Sequence, residues 1–566
     1  MTTVGLVGDG PAAESISAAL SDASAATTAV DPGAIAGVDI AVVAAPVGDS
    51  AFATAATAAK GSGTPVVSVE LGGIGGQPVA GVDAAVSGYA PGTACFDCLC
   101  DRVAATDPET DAGDYDAATA RFAGALAGRE LASLVAGGQS TLLGGVIEVP
   151  HAQRRVLPVP YCECGEDSSR GPVPRERAER SLEESLSLAE GAFDARLGPI
   201  TEVGEVESFP VPYYLATLSA TPFSDADVPS HAAGVGADWD PAFMKALGEA
   251  LERYSAAVYR TDEFVTEPSN PVVPERFVQS GGPTAESAID YWHPAEDLGT
   301  GDSVELPAEL VVFPPPERNV RPPITTGLGL GNDGIEALLS GLYEVIERDA
   351  AMLSWYSSYD PLGLAVDDEG FETLAARAES EGLDTTALLL TQDVDVPVVA
   401  ACVHREGEWP HFAAGMSADL DPEAAARGAL EEAIQNWLEL RRMGPDRAAD
   451  ESGAIGHYAD LPEAARAFVT PETTVPADSV GPETTPEGEA ELSAVVDRVV
   501  DADLDAYGAR VTPRDVASLG FEAVRVAVPA AQPLFTDNAY FGERARSVPD
   551  SLGFEFDPDR PHHPFP

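Results

Sequence analysis

Three glutamates of one predicted helix occupy a common arc of its surface. On a helix that turns about 100° per residue, Glu336, Glu344 and Glu347 lie at roughly 0°, 80° and 20°. Carboxylates crowded in this way repel one another unless a cation lies among them. Carboxylate and amide oxygens suit Mg²⁺, which proteins commonly bind through a few carboxylates together with substrate phosphates. The pattern therefore predicts a magnesium site that binds ATP.

A second predicted helix carries the same Glu-x-x-Glu-Arg pattern as residues 344–348. Its members are Glu249, Glu252 and Arg253. Glutamate pairs at this spacing are also common on solvated helix faces. Two copies in helices rich in Ala and Leu, with Asn332 shortly before one of them, favour a functional site. Facing each other, the helices would form a cage of oxygen ligands. A di-iron centre would require Glu-x-x-His, and none of the eight histidines lies in these helices.

The basic residues beside these glutamates have two interpretations. Arg253 and Arg348 either contact a phosphate or pair with neighbouring carboxylates. Lys245, one turn before Glu249, either reaches a phosphate or lies at the surface, and the surface is favoured. No protein nucleophile is expected, because phosphoryl transfer depends chiefly on positioning and charge neutralisation.

Five of the six cysteines fall in two short clusters, at residues 95–100 and 162–164. Disulfides are rare in a reducing cytosol, and four thiolates contributed in two pairs match a closed, structural zinc site. Redox chemistry or a chance clustering of the cysteines is the alternative. The predicted zinc ligands are Cys95, Cys98, Cys162 and Cys164, with Cys100 as the substitute and Cys402 as a separate core residue.

The elements before residue 195 alternate between strands and helices. Apolar strands at 4–7, 40–43 and 66–69 are separated by Ala-rich helices, which predicts an α/β, Rossmann-like domain over residues 1–195. The Gly-x-Gly-x-x-Ala pattern at 8–13 is weak support for a nucleotide, and packing of the turn explains it better.

The remaining chain, residues 196–566, is predicted to form a second domain. A loop rich in Gly, Asp and Ser at 165–172 and the charged helix after it separate the two parts. The stretch 470–489, rich in Pro, Glu and Thr, is expected to be an exposed insertion.

The acidic composition indicates the cellular setting. The chain has 93 Asp and Glu against 32 Lys and Arg, a formal charge of −61, and its only lysines are Lys60 and Lys245. Self-repulsion acts over a Debye length of about 8 Å at physiological salt but only about 3 Å at about 1 M. This composition is typical of the salt-saturated cytoplasm of a halophilic organism. A disordered chain is excluded, because 45% of the residues are hydrophobic and the apolar runs are periodic.

Membrane and nucleic-acid functions have no support in the sequence. The N-terminus has no basic region, and the apolar stretch 34–48 is interrupted by Asp39 and too short to span a bilayer. Phosphate backbones require cationic patches, which this chain lacks. We therefore expect a cytoplasmic protein whose substrate is a peptide or protein.

The C-terminal two thirds of the chain resembles the YcaO family, ATP-dependent enzymes that activate backbone amides, and the resemblance implies an α+β domain over residues 196–566. The first family signature is matched by residues 246–253, with Ala242 where the family has Ser. The second is matched by residues 331–337 and 344–348. The third is matched by residues 429–435, with Gly428 at the position of the family's Arg.

The resemblance implies which side chains bind ATP and Mg²⁺. They are Glu249, Glu252, Arg253, Asn332, Glu336, Glu344, Glu347, Arg348, Glu432 and Gln435. The end of the chain, residues 561–566, is similar to the proline-rich terminus of YcaO proteins that act on peptides. This similarity implies that residues 564–566 insert near the ATP site, where the terminal carboxylate of Pro566 helps to position catalytic groups.

Residues 1–195 resemble the ThiF-type, ubiquitin-activating-like partner proteins of azoline biosynthesis, which carry a cysteine-ligated zinc. They are shorter than a full partner, and no winged-helix segment that would bind a leader peptide precedes them. The resemblance implies a fused protein that uses Mg-ATP to phosphorylate a peptide amide, so that Cys, Ser or Thr closes an azoline ring, as in bacteriocin biosynthesis. The alternatives are thioamidation with a TfuA-type partner and a noncatalytic accessory role near ribosomal protein methylthiolation. A separate leader-binding partner and a homodimer are left open.

Overall fold

Four β-sheets with helices packed on them form the part of the chain that a computed structural model describes, which is residues 2–150, 152–165, 171–281, 285–450, 454–536 and 538–565. The sheets contain seven, three, five and five strands. Within these residues, no helix is long and apolar enough to cross a membrane.

The first sheet and its four helices come from the first 155 residues. They are β1 (Thr3–Val7), α1 (Gly10–Asp22), β2 (Ala26–Ala29), β3 (Ile40–Pro46), α2 (Ser50–Ser62), β4 (Val66–Leu71), β5 (Ala84–Tyr89), α3 (Phe96–Ala105), α4 (Ala117–Val135), β6 (Gly145–Val149) and β7 (Ala152–Arg155). The strand order is β2-β1-β3-β4-β5-β6-β7. Strands β2, β1, β3 and β4 run parallel, whereas β5, β6 and β7 are antiparallel to their neighbours.

The alternation of strands and helices predicted for this region is present, but its antiparallel half was not foreseen. The turn after β1 is explained by packing. A Cβ added to Gly8, whose φ is +109°, would lie 2.1 Å from the carbonyl oxygen of Ala44. The glycine is therefore required by the close approach of β3. The comparison with a Rossmann-like domain stays a prediction.

The second sheet is an antiparallel meander that leads into a long helix. Its elements are α5 (Leu182–Ala189), β8 (Ile200–Glu207), β9 (Tyr213–Leu218), β10 (His231–Val235) and α6 (Trp239–Ala257). The strand order is β10-β9-β8, and α6 packs on β10 and β9.

The remaining elements form two five-stranded sheets. They are β11 (Trp292–Asp297), β12 (Ser303–Pro307), β13 (Leu328–Gly331), α7 (Gly334–Trp355), β14 (Leu362–Ala365), α8 (Glu369–Ser380), β15 (Asp384–Leu389), β16 (Val398–His404), β17 (Phe412–Ala418), α9 (Pro422–Met443), α10 (Pro445–Asp450), α11 (Ala454–Tyr458), α12 (Glu463–Arg466), β18 (Thr474–Pro476), α13 (Glu489–Asp501), β19 (Tyr507–Arg510), α14 (Arg514–Leu519), β20 (Glu522–Ala527) and α15 (Arg544–Leu552). The orders are β12-β11-β19-β20-β13 and β17-β16-β15-β14-β18.

Helix α7 packs on β13 and β20, and α9 packs on β16 and β17. The stretch 470–489 is largely exposed, as expected, but it also supplies β18, which pairs in parallel with β14. It is therefore part of a sheet as well as a surface segment.

The apolar core crosses the division that the sequence suggests near residue 195. One cluster of buried side chains includes Leu99 of α3, Leu247 and Tyr254 of α6, and Leu519 of α14. The ranges 1–195 and 196–566 therefore share a core, and the division into two domains stays a prediction.

Candidate active site

Helices α6, α7 and α9 meet around a cavity of about 420 Å³, which we call the first cavity. Its charged and amide lining consists of Lys245, Glu249, Glu252, Asn332, Glu336, Glu431, Glu432 and Gln435. Six of the ten residues predicted to bind ATP and Mg²⁺ therefore line one space, although they are far apart in the sequence.

Two carboxylates of α6 line this cavity, and they differ in their hydrogen bonding. Glu249 accepts hydrogen bonds from Nη2 of Arg253 at 2.9 Å and from the backbone N of Ala233 at 3.4 Å. Glu252 forms no hydrogen bond or ion pair with the residues that the structure describes. Burial, and then the nearby Glu344 carboxylate, raise the pKa of Glu252 to about 8. Burial also raises the pKa of Glu249. A cation in the cavity would offset the cost of ionising both groups.

Asn332 and Glu336, at the start of α7, form another wall of the first cavity. The backbone N and Nδ2 of Asn332 both donate to Oε2 of Glu336, at 2.9 and 3.0 Å. The Asp333 carboxylate accepts from the backbone N of Ile335 and of Glu336, at 2.9 and 3.0 Å, and so caps the helix. The cap fixes where α7 begins, and it thereby fixes the backbone positions of Asn332 and Glu336.

Arg348 is surrounded by carboxylates further along α7. Its nitrogens lie 3.3 Å from Glu347, 3.8 Å from Glu344 and 3.9 Å from Glu432. Glu347 is 7% exposed. Burial raises the pKa of Glu347 and of Glu432, and the guanidinium of Arg348 opposes both shifts. One guanidinium would not balance the three carboxylates if all were ionised, so a cation nearby would favour their ionised forms.

A second cavity of about 580 Å³ lies on the other side of these charges. Its wall includes Arg253, Glu344 and Arg348, together with apolar and proline side chains such as Ile324 and Tyr540. The three glutamates predicted to share one face of α7 therefore do not all reach the same cavity, because side chains spread over about 80° of a helix can point into two spaces. Glu336 lines the first cavity, Glu344 lines the second, and Glu347 is buried beside Arg348.

The basic residues of the site form ion pairs with carboxylates. Arg253 and Arg348 pair with neighbouring glutamates and also line the second cavity, and their contact with a phosphate stays a prediction. Lys245 is half-exposed at the wall of the first cavity and pairs with Glu431. Gln435 donates to Glu439 at 3.2 Å.

Sequence reasoning missed Arg525 of β20. This residue is buried, and its guanidinium donates to the carbonyl oxygens of Thr325 and Ile324 at 2.9 and 2.8 Å, which places it behind the wall of the second cavity. Burial lowers the pKa of Arg525 to about 10, and Glu344 and Glu252 oppose the shift. The signal in the sequence is a single charge in the otherwise apolar strand segment 523–527.

The two cysteine clusters meet at one point. Sγ of Cys95 lies 3.8 Å from that of Cys98 and 3.6 Å from that of Cys162, and Sγ of Cys98 lies 3.5 Å from that of Cys164. All four sulfurs lie within 4.8 Å of one another. The edges of a regular ZnS₄ tetrahedron are about 3.8 Å when Zn–S is about 2.3 Å. The sulfur positions therefore fit the predicted zinc ion.

The surroundings of these thiols also fit a metal centre. The backbone N of Val159 donates to Sγ of Cys98 at 3.3 Å, and Arg514 donates to Sγ of Cys164 at 3.0 Å. Such donors commonly orient and stabilise metal ligands. Cys100 lies outside the group of four, and Cys402 is buried in β16.

The end of the described chain is inserted into the protein. Phe565 is fully buried, with its ring centroid 5.9 Å from that of Phe468 and 6.2 Å from that of Trp355. His563 bonds through Nε2 to the carbonyl oxygen of Phe535, a wall residue of the second cavity, at 2.7 Å. Burial lowers the pKa of His563 to about 3. The residue predicted to supply a catalytic carboxylate, Pro566, lies outside the described residues.

Comparison with curated proteins gives two relatives, both named as uncharacterized proteins. A protein of Methanothermobacter thermautotrophicus is 30% identical over 367 residues, which cover 62% of this chain and 93% of that protein. A protein of Rhizobium leguminosarum bv. trifolii, named for its place in the tfuA 3' region, is 30% identical over 164 residues, or 26% of this chain and 39% of that protein.

Two solved heterocyclases share the fold of almost the whole chain. A heterocyclase in complex with substrate and cofactor superposes with a TM-score of 0.74 and 21% identity, over 98% of this chain and 83% of that one. The heterocyclase TruD superposes with a TM-score of 0.66 and 19% identity, over 97% and 81%. At this level of identity the likeness concerns the fold alone.

The model of one protein family matches the part of the chain that carries both cavities. Its description is YcaO cyclodehydratase, ATP- and Mg²⁺-binding, and it matches residues 233–532, which is 300 of the 566 residues. The match confirms the resemblance inferred from the three signatures and the prediction of an enzyme. Because the family model covers more than half of its residues, the chain belongs to the YcaO family and is an enzyme of that family's ATP-dependent type.

Proposed function

We propose that this chain uses Mg²⁺ and ATP to phosphorylate the oxygen of a peptide backbone amide, so that a neighbouring Cys, Ser or Thr side chain closes an azoline ring. The observation that carries the proposal is the first cavity, where half-buried carboxylates of α6 and α9 and the exposed Glu336 of α7 line one space beside a second, arginine-walled cavity. The family's description and the shared fold of two heterocyclases support it.

The first cavity fits Mg²⁺ together with a nucleotide triphosphate. Its donor atoms are carboxylate and amide oxygens, the ligands that Mg²⁺ prefers. The residues that would hold the ion and the phosphates are Glu249, Glu252, Asn332, Glu336, Glu432 and Gln435. When bound, the ion neutralises phosphate charge and polarises the transferred phosphoryl group. Burial and the nearby Glu344 carboxylate raise the pKa of Glu252 to about 8, and a cation beside this side chain would favour its ionised form.

The second cavity is proposed to hold the peptide. Arg253 joins the two spaces, because it bonds to Glu249 of the first cavity and lines the second. Arg348 lines the second cavity amid Glu344, Glu347 and Glu432. An amide in the second cavity would therefore meet the terminal phosphate of ATP between two guanidinium groups. Both groups would stabilise the negative charge that develops during transfer.

The reaction balances without a protein nucleophile. The substrate's side-chain sulfur or oxygen loses its proton and bonds to the amide carbon, which leaves an oxyanion. The oxyanion takes the γ-phosphoryl group, and ADP is formed. Phosphate then leaves with the former amide oxygen as its C–O bond breaks, and loss of the amide proton gives the C=N bond of the ring. One ATP is consumed for each ring formed.

The first 195 residues are proposed to be a fused, ThiF-like partner domain whose Cys95, Cys98, Cys162 and Cys164 hold a structural zinc ion. The net charge of −61 supports a halophilic, cytoplasmic setting. Experiments are therefore designed for multimolar KCl, where surface repulsion is screened.

Calorimetry of ATP binding with and without Mg²⁺ tests the proposal. Glu252→Gln and Glu432→Gln, which both change carboxylates of the first cavity, should abolish the gain in ATP affinity that Mg²⁺ gives the wild type. Glu372→Gln is the matched control, because Glu372 is exposed on α8 and lies outside both cavities. Wild-type binding by both cavity variants would mean that these carboxylates form only an acidic surface.

Backbone thioamidation is the second candidate, and the relative named for the tfuA 3' region is the observation that favours it. In this reaction external sulfide attacks the activated amide instead of a side chain. Intact-mass analysis of candidate peptides separates the two, because cyclodehydration removes one water and thioamidation exchanges one oxygen for sulfur. An unmodified peptide population in cells with and without the protein would contradict both.

A further inference from the structure

A segment that precedes the YcaO-matched region crosses the start of α7. This strap is residues 171–189, which end with α5. The backbone N of Ala178 donates to Oδ2 of Asp333 at 2.7 Å, and the carbonyl oxygen of Pro174 would lie 2.1 Å from a Cβ at Gly334. The strap thus contacts the helix cap, which is the element that fixes Asn332 and Glu336.

Two side chains of the strap bond directly to Asn332. Arg180 donates from Nη1 to the backbone oxygen of Asn332 at 3.2 Å and to that of Gly520 at 2.6 Å. Ser185 donates from its hydroxyl to Oδ1 of Asn332 at 2.7 Å. Ser185 is 4% exposed, so water does not readily replace this hydrogen bond.

The Glu336 carboxylate, which can only accept, fixes which end of the Asn332 carboxamide faces it, and the Ser185 hydroxyl holds the opposite, oxygen end in place. Nδ2 donates to Glu336, and Oδ1 accepts from Ser185. Turning the amide over would set its oxygen against the Glu336 carboxylate, so the present orientation leaves Ser185 to hold Oδ1. A carbonyl oxygen accepts two bonds, so Oδ1 keeps one free position for a cation in the first cavity.

We propose that Ser185 is a positioning residue, which orients the carboxamide of Asn332 for metal binding from outside the family-matched region. The proposal rests on the proposed function, because it assumes that Asn332 belongs to the magnesium site. It also explains why the strap packs so closely on α7: part of the ATP site is built by residues that the YcaO match, 233–532, does not include.

Titration of Mg²⁺ against the full-length protein at saturating ATP tests the proposal. Loss of a residue that orients a metal ligand typically weakens metal binding about 10- to 100-fold. We therefore expect Ser185→Ala to raise the apparent Mg²⁺ dissociation constant by about that factor, with ATP affinity in the absence of Mg²⁺ unchanged. Ser185→Thr keeps a hydroxyl and should restore the wild-type constant. Ser187→Ala, an exposed change on the same helix, is the matched control.

A double-mutant cycle shows whether the hydroxyl acts through Asn332. In an Asn332→Ala background, Ser185→Ala should cause no further loss of Mg²⁺ affinity. An equal loss in both backgrounds, or a Mg²⁺ constant unchanged in Ser185→Ala, would overturn the positioning role. Failure of the proposed function is distinguishable, because Asn332→Ala and Glu252→Gln would then bind Mg-ATP as the wild type does. A thermal melt of each variant confirms that the chain is folded.

Discussion

Replacing Asp515 with asparagine would leave a cation in the core without its counter-charge. The side chains of Arg102 and Asp515 form an ion pair in which both are 0% exposed. Tyr254 donates its hydroxyl to the same carboxylate at 2.5 Å. The three residues belong to α3, α14 and α6, so this cluster joins the helix that contains Cys98 to the helix that carries Glu249 and Glu252.

The expected loss of stability follows from the burial of the pair. Removing one partner of a buried ion pair costs about 3–5 kcal/mol, because the remaining charge is desolvated and unpaired. The chain offers an exposed pair of the same residue types, Arg276 and Asp505, whose side chains are 42% and 50% exposed. Exposed pairs contribute about 0–1 kcal/mol. Asp515→Asn should therefore lower the free energy of unfolding several times more than Asp505→Asn.

Urea unfolding followed by circular dichroism, at low and at multimolar KCl, measures both effects. Salt screens the exposed pair, whose contribution should vanish, but not the buried one. The effect of Asp515→Asn should therefore persist at high salt. A loss below about 1 kcal/mol in Asp515→Asn, equal to that of Asp505→Asn, would refute the claim that this buried charge requires its partner.

Two further predictions concern protons and metal. The pKa of Glu252 is raised to about 8 from an ordinary 4.5, so between these values the folded apo protein keeps a proton that the unfolded chain loses. The melting temperature should therefore fall as the pH rises from about 5 to about 8. In Glu252→Gln the fall should be less steep. An identical pH dependence in both proteins would contradict the shift. Elemental analysis should find one zinc per chain in the wild type and in Cys402→Ala but none in the Cys95→Ala, Cys162→Ala double variant. A chelator under reducing conditions should lower the melting temperature of the wild type. A metal-free, fully folded wild type would exclude the site.

The parts of the site that were predictable are those with a local pattern. The spacing of Glu249 and Glu252 follows from helix geometry, which depends only on sequence separation. The cysteine site was also predictable, although Cys98 and Cys164 are 66 residues apart, because only six cysteines exist and five are clustered. The small number of cysteines made the grouping predictable even though the two clusters are far apart in the sequence.

The parts that were missed depend on contacts between distant segments. Ser185 and Asn332 are 147 residues apart, and Arg102 and Asp515 are 413 residues apart. No periodicity links such pairs, and each residue alone resembles an ordinary surface or helix residue. The second cavity was missed for the same reason, because its wall combines residues 322–326, 534–540 and α7.

The alanines of the family signatures have a packing role that explains their place beside the glutamates. A Cβ added to Gly234, Gly329 or Gly415 would lie 2.2 to 2.3 Å from a backbone atom of Ala246, Ala337 or Ala433. Each of the helices α6, α7 and α9 therefore lies directly against a strand, at a point where both residues are small. Glu336 and Glu432 immediately precede two of these alanines, and Glu249 follows the third by three residues. The close contact fixes the rotation of each helix, and with it the direction from which each carboxylate enters the first cavity.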